Sequence, residues 1–100
     1  MTTITPDVTI AFSAITLTGE LYHNPDRDIL ELITDEGIER LSTDLGGYGL
    51  ESADGAVFIK DWSEHRGLTE ELERQGYIKV LRKVFVGPFS SRAYEVLVTA

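Results

Sequence analysis

The sequence predicts an α+β domain: an antiparallel β-sheet of about six strands with one α-helix packed on a face, in the order β-β-β-β-β-α-β-β. Three observations lead there. Apolar and polar residues alternate with a period of two over much of the chain, the pattern of half-buried strands. Only one stretch, 61–76, carries helical spacing between a capping residue and a terminating glycine. The connections between apolar runs are short, which favours antiparallel hairpins over parallel crossovers. With 100 residues, no repeat and no low-complexity tract, 1–100 reads as a single domain.

Each element has its own reason. Val8, Ile10 and Phe12 alternate with Thr9 and Ala11, and Thr16, Leu17 and Thr18 continue an extended chain to a turn expected at Gly19-Glu20. Leu21 and Tyr22 begin the return. His23 to Asp28 is a loop, because Pro25 excludes Asn24 from helical space and aspartates favour turns; His23 is expected to be solvated there. Ile29–Thr34, the turn Asp35-Glu36-Gly37 and Ile38–Thr43 form the clearest hairpin. Leu45 to Gly55 is a loop whose Gly46-Gly47-Tyr48-Gly49 is its most flexible part. Val57-Phe58-Ile59 is a short buried strand. In the helix, Asp61 or Ser63 caps the start, Leu68 and Leu72 share a face, Glu70 and Arg74 pair four apart, and Gly76 ends it. Gly67 weakens its first turn by about 1 kcal/mol relative to alanine. Tyr77–Val86, the turn Gly87-Pro88 and a last strand through Tyr94, Val96 and Val98 complete the chain.

Charge is divided unevenly. Residues 1–60 hold eleven acids and three bases, whereas 61–100 hold six of each, and the whole chain carries −8. Lys79, Arg82, Lys83 and Arg92 form a basic run with no acid between Glu73 and Glu95. The two regions would attract different partners. A net negative chain repels nucleic acid over most of its surface, so direct nucleic-acid binding is not expected. The absence of cysteine removes disulfides, thiolate metal sites and thiol nucleophiles. No signal-peptide pattern and no membrane-length apolar run occur, so the expected location is the cytoplasm of the host cell, away from membranes.

No motif for catalysis or metal binding rises above its ordinary structural explanation. Ser63 and His65 stand two apart, which directs them differently on a helix, and helix capping explains Ser63 and Glu64 better. His23 and His65, the two imidazoles, lack metal-ligand spacing. The glycines at 46–49 lack the Lys-Ser/Thr that follows a phosphate-cradling loop. Neither metal nor cofactor is expected, and the reading is non-enzymatic.

Two binding surfaces remain. Asp26, Asp28, Glu31, Asp35, Glu36 and Glu39 make an acidic surface around the hairpin, and a spread of carboxylates of this kind can occupy a basic nucleic-acid channel of another protein. A solvated hairpin tip is the commoner explanation of such charges. Trp62, at the strand-to-helix corner, would be an anchor for a protein partner if exposed. The alternative surface is the basic strand pair 77–94, where Lys79, Arg82, Lys83 and Arg92 accompany Tyr94, a combination suited to a nucleotide signal. On regular pairing, Lys79 and Lys83 share a face with Tyr77 and Phe85 while Arg82 points away.

The stretches Leu41-Ser42-Thr43-Asp44-Leu45, Val57-Phe58-Ile59-Lys60-Asp61-Trp62-Ser63-Glu64-His65-Arg66-Gly67-Leu68 and Leu72 to Ile78 resemble a family of small uncharacterised phage, plasmid and bacterial proteins. Its pattern is an "LSVNL"-like strand end, a loop, then "FIKDYSENEGL…L…AGI". The likeness covers roughly residues 29–80, with departures at Thr43, Asp44, Trp62, His65 and Arg66. What it implies is context: short acidic products of mobile elements are often inhibitors of host systems, anti-CRISPR and other counter-defence proteins among them. The resulting expectation is a non-enzymatic, anti-CRISPR-like inhibitor that presents its acidic surface to a basic nucleic-acid-binding surface of a defence complex. A nucleotide-sequestering module, or an accessory subunit of a larger assembly, is the alternative. A homodimer through an exposed edge strand is compatible with either.

Overall fold

The computed structural model describes residues 2–100. Strands β1 (Thr3–Phe12), β2 (Ile15–Asn24), β3 (Ile29–Thr34) and β4 (Gly37–Arg40) form one antiparallel sheet in the order β1-β2-β3-β4. Strands β5 (Ser42–Thr43), β6 (Ala56–Lys60), β7 (Ile78–Val86) and β8 (Ser91–Val98) form a second, in the order β5-β6-β8-β7. The single α-helix, α1 (Leu68–Arg74), lies between β6 and β7 in sequence and packs against both sheets through β1 and β7. The α+β class, the antiparallel pairing and the lone helix are as the sequence predicts. Among the described residues the strands number eight and divide between two sheets, where about six in one sheet were expected.

Two local features separate the observed strands from the expected ones: one moves a turn, the other splits a strand between the sheets. The first hairpin turns at Ser13-Ala14, with Ser13 at φ 54°, and not at Gly19-Glu20. Gly19 lies inside β2, opposite Val8 on one side and Thr34 on the other, and a Cβ there would stand 2.0 Å from the Ile33 carbonyl oxygen. The glycine marks a close backbone approach instead of a reversal. The second feature is Leu41, which breaks the expected strand 38–43. Its N–H still donates to Leu30 O at 2.9 Å, but Ser42 and Thr43 pair with Ile59 and Phe58 of the other sheet. Ser42 Oγ accepts the buried Leu30 N–H at 2.9 Å and so ties β3 to the crossing point.

One core fills the space between the sheets. Val8, Ile10, Phe12, Leu21, Leu30 and Leu32 project from the first sheet, Val57, Ile59, Ile78 and Val96 from the second, and Leu68 and Leu72 from the helix. Both helix leucines are fully buried, which stabilises the fold by about 1.5–3 kcal/mol each. A smaller cluster covers the other face of the second sheet, where Leu45 and Leu50 of the 45–55 segment and Trp62 pack on Phe58, Val86 and Ala93. That segment is more ordered than its glycines suggest. Gly46–Tyr48 forms a 3₁₀ turn, and Asp44 Oδ1 accepts the Gly46 N–H at 2.8 Å.

His23 is not in a solvated turn. It belongs to the inner row of β2, next to Leu30, and is 8% exposed. The strand runs two residues further than the turn-forming loop residues imply, because its backbone pairs with β1 at Thr3 and with β3 at Leu30.

The helix is shorter than 61–76. Ser63–His65 is a separate 3₁₀ turn, and Gly67 at φ 88° precedes Leu68. Its end is as predicted: Gly76 takes φ 85°, with Gly76 N–H bonded to Glu73 O and Tyr77 N–H to Leu72 O, the paired bonds of a Schellman cap. Arg74 bonds Glu71 three residues back at 2.6 Å, in place of the expected Glu70. Two side chains at this end reach the sheet edges. Gln75 Nε2 donates to Thr9 O of β1 at 2.8 Å, and Glu73 Oε2 accepts the Val80 N–H of β7 at 2.8 Å. Each occupies a backbone group that an edge strand would otherwise offer to another chain.

Candidate functional site

The basic strand pair is reorganised by a bulge. The register of β7 on β8 shifts between Val80 and Arg82, so Lys79 stands opposite Leu97, Arg82 opposite Glu95 and Lys83 opposite Tyr94. The extra residue reverses the alternation. Lys79 therefore shares a face with Arg82, not with Lys83, which corrects the regular-pairing expectation. Arg82 is taken up structurally: its Nε bonds Glu95 Oε1 at 2.6 Å, and its guanidinium lies 5.7 Å from the Phe58 ring centroid. Glu95 also accepts the Ala53 N–H at 2.6 Å, which fastens the 45–55 segment to the sheet. Burial pushes the Glu95 carboxyl up, but the Ala53 N–H and Arg82 outweigh it and hold the group below its usual range.

Lys83, Arg92 and Tyr94 lie together on the opposite face with Phe85, which is paired directly with Arg92. Lys83 Nζ sits 5.8 Å from the Phe85 ring centroid, and the Arg92 guanidinium sits 5.8 Å from that of Tyr94. Arg92 is fixed by Asp61, whose Oδ1 accepts from Nη2 at 2.9 Å. Asp61 is only 3% exposed and accepts the Gly67 N–H at 3.1 Å and the Thr69 N–H at 3.0 Å. The N-cap residue is Gly67, so Asp61, one of the two expected caps, serves the helix start from outside the helix and not as its first residue. Burial alone would raise its carboxyl, yet the Thr69 and Gly67 amides and Arg92 hold it below the ordinary aspartate value.

Beside this pair opens a cleft of about 520 Å³, lined by Trp62, Arg66, Phe85, Phe89 and Arg92 around Asp61. Phe89 is 90% exposed and Phe85 62%. Phe89 stands on the turn Gly87–Ser90, closed by Ser90 N–H to Gly87 O at 3.2 Å. Trp62 is half-buried, with its ring against the smaller core cluster and Lys60 Nζ 5.4 Å above it. The sequence reading placed Phe85 beside the basic strand pair but missed Arg66 and Phe89 as cleft residues. The available signal was a phenylalanine between proline and serine in a turn, where no core can reach it.

The acidic residues are less uniform than their sequence spacing. Asp26 and Asp28 belong to the turn between β2 and β3, and Asp35 and Glu36 to the turn between β3 and β4, at the opposite end of the sheet. All four are exposed. Glu31 lies on the outer face of β3 opposite Tyr22 and Arg40. Glu39 belongs to the inner face, in the row of Leu21 and Leu32, and its Oε1 meets His65 Nε2 at 2.9 Å. His65 is 7% exposed and stands edge-on to Phe12, with ring centroids 5.9 Å apart. The imidazole is directed at Glu39 and the core, away from the exposed Ser63 hydroxyl. Among the described residues no group of three or more His, Asp or Glu is placed to hold a metal ion. Among them, too, no helix is long and apolar enough to cross a membrane. No family model, no curated protein and no solved structure matches the chain.

Proposed function

We propose that the protein is a non-enzymatic binding protein of counter-defence type. It engages a basic, nucleic-acid-binding surface of a bacterial defence complex through the acidic end groups of its first sheet. The observation that carries this reading is the separation of charge on a rigid support. Two exposed acidic turns, Asp26/Asp28 and Asp35/Glu36, are held apart by the six-residue β3, with Glu31 on the outer face between them. At about 3.3 Å per residue the two turns are about 20 Å apart, a span fixed by strand pairing and not by flexible chain. Carboxylates displayed along such a span complement a groove that normally tracks a phosphate backbone.

The test is affinity capture from bacterial lysate at low ionic strength, comparing the native chain with an Asp28→Lys, Asp35→Lys, Glu36→Lys variant. These side chains are exposed, and an unchanged melting temperature checks that the variant is folded. The expected result is one nucleic-acid-binding complex retained by the native protein, absent with the variant, and released near 1 M salt, where screening falls to about 3 Å. Equal recovery by the variant, or retention through the salt wash, overturns the reading.

A further inference from the structure

We propose a second site, independent of the acidic sheet: the cleft at the β7–β8 turn binds a nucleotide, with its base on the exposed phenylalanines and its phosphate on Arg66 and Arg92. The first ground is that folding does not account for the rings. Phe85 and Phe89 are 62% and 90% exposed, border the same cleft as the half-buried Trp62, and belong to neither core cluster. Apolar rings left together on a surface mark a place where something else covers them.

The second ground is charge. Arg66 and Arg92 line the cleft, and Lys83 sits over the Phe85 ring. Asp61 offsets one of these cations, while Arg66 and Lys83 form no ion pair among the described residues. The cleft therefore keeps an excess of positive charge inside a protein of net −8. A purely apolar ligand would not call for it, and a bare phosphate would not call for three rings.

The third ground is preorganisation. Arg92 is held by a carboxylate that is itself fixed by two backbone N–H groups at the helix start, and strand pairing sets it directly opposite Phe85. A ring and a guanidinium fork thus face one space with their spacing set before the ligand arrives, which lowers the ordering cost of binding. The cleft's volume, about 520 Å³, lies in the range of small-molecule sites. A ring flanked by arginine is a general means of holding a base and its phosphate.

Trp62, the single tryptophan, lines the cleft and reports occupancy. The four ribonucleoside 5′-monophosphates and 5′-diphosphates are titrated against its emission and, separately, by calorimetry. Adenosine and inorganic phosphate serve as part-ligands. The expected result is one-site saturation by at least one nucleotide, tighter than either part-ligand. Phe89→Ala and Arg66→Ala should each weaken it about tenfold, the loss of one stacking or one phosphate contact. Both side chains are exposed, so unchanged melting temperatures show that the variants are folded. The proposal is overturned if no nucleotide saturates below about 1 mM, or if both variants bind as the native chain does. It is equally overturned if phosphate alone, or adenosine alone, binds as tightly. The acidic-turn variant described above should bind the nucleotide unchanged, which separates this site from the first.

Discussion

Asp61 accepts three hydrogen bonds, two of them from backbone N–H groups, and its removal has a calculable cost. In Asp61→Ala the buried Thr69 N–H loses its acceptor, a penalty of about 1–3 kcal/mol. The half-buried Gly67 N–H, the other bond of this helix cap, recovers part of its loss from water and adds less than about 1 kcal/mol. Arg92 is 38% exposed at its side chain, so its released guanidinium re-solvates and adds less than about 1 kcal/mol. The sum is roughly 3 kcal/mol, a fall in melting temperature on the order of 12–24 °C for a domain of this size. Asp61→Asn retains one acceptor and should lose about half as much. Urea unfolding of the native and both variant chains measures this directly. The pH dependence carries a further check. The folded carboxyl titrates below its ordinary value of 3.8, so its stabilisation is complete above about pH 5 and disappears as pH falls through the folded value. The native advantage over Asp61→Asn should therefore shrink between pH 5 and pH 3. An advantage that stays constant to pH 3, or an Asp61→Ala chain within about 0.5 kcal/mol of native at pH 7, would refute the reasoning.

Gly19→Ala places a methyl 2.0 Å from Ile33 O in a central strand pair, and should cost about 3 kcal/mol or more by urea midpoint. Leu72→Ala removes a fully buried side chain from the helix and should cost about 2–5 kcal/mol in the same assay. Burial pushes the His23 imidazole down, against a smaller opposing pull from Asp28. The unfolded chain then takes up more protons below 6.5, so stability falls as pH drops from 6.5 towards the folded value; His23→Leu should flatten urea midpoints measured across that interval. Arg74→Ala breaks a 2.6 Å but exposed pair and should change stability by less than about 0.5 kcal/mol, as thermal unfolding will show.

The parts of the fold legible in the sequence are those set by local chemistry. The Asp35-Glu36-Gly37 hairpin, the Gly76 helix end and the alternating rows of Val8, Ile10 and Phe12 follow from turn residues and period alone. What escaped depends on backbone meeting backbone. Gly19 looks like a turn residue until Ile33 O occupies the space of its missing Cβ. The change of sheet at Leu41 has no composition signature, because 38–43 keeps strand residues on both sides of the bend. The candidate sites divide in the same way. Acidic turns are visible as turns, whereas the bulge at Leu81 reverses every face assignment before it, separating Lys79 from Lys83. Glu39 looks like a further surface carboxylate, and only its register beside Leu32 turns it towards His65.

The contacts of Gln75 and Glu73 with β1 and β7 give the short helix a second office, that of a guard on one margin of each sheet. Both contacts come from one seven-residue segment and its cap, so a single local opening unmasks both margins together. The hazard of strand exchange at these two margins is therefore governed by the helix's own opening equilibrium and not by global melting. A sample warmed to well below its unfolding transition should self-associate in proportion to concentration. Any change that loosens the helix, even one harmless to the core, should hasten it.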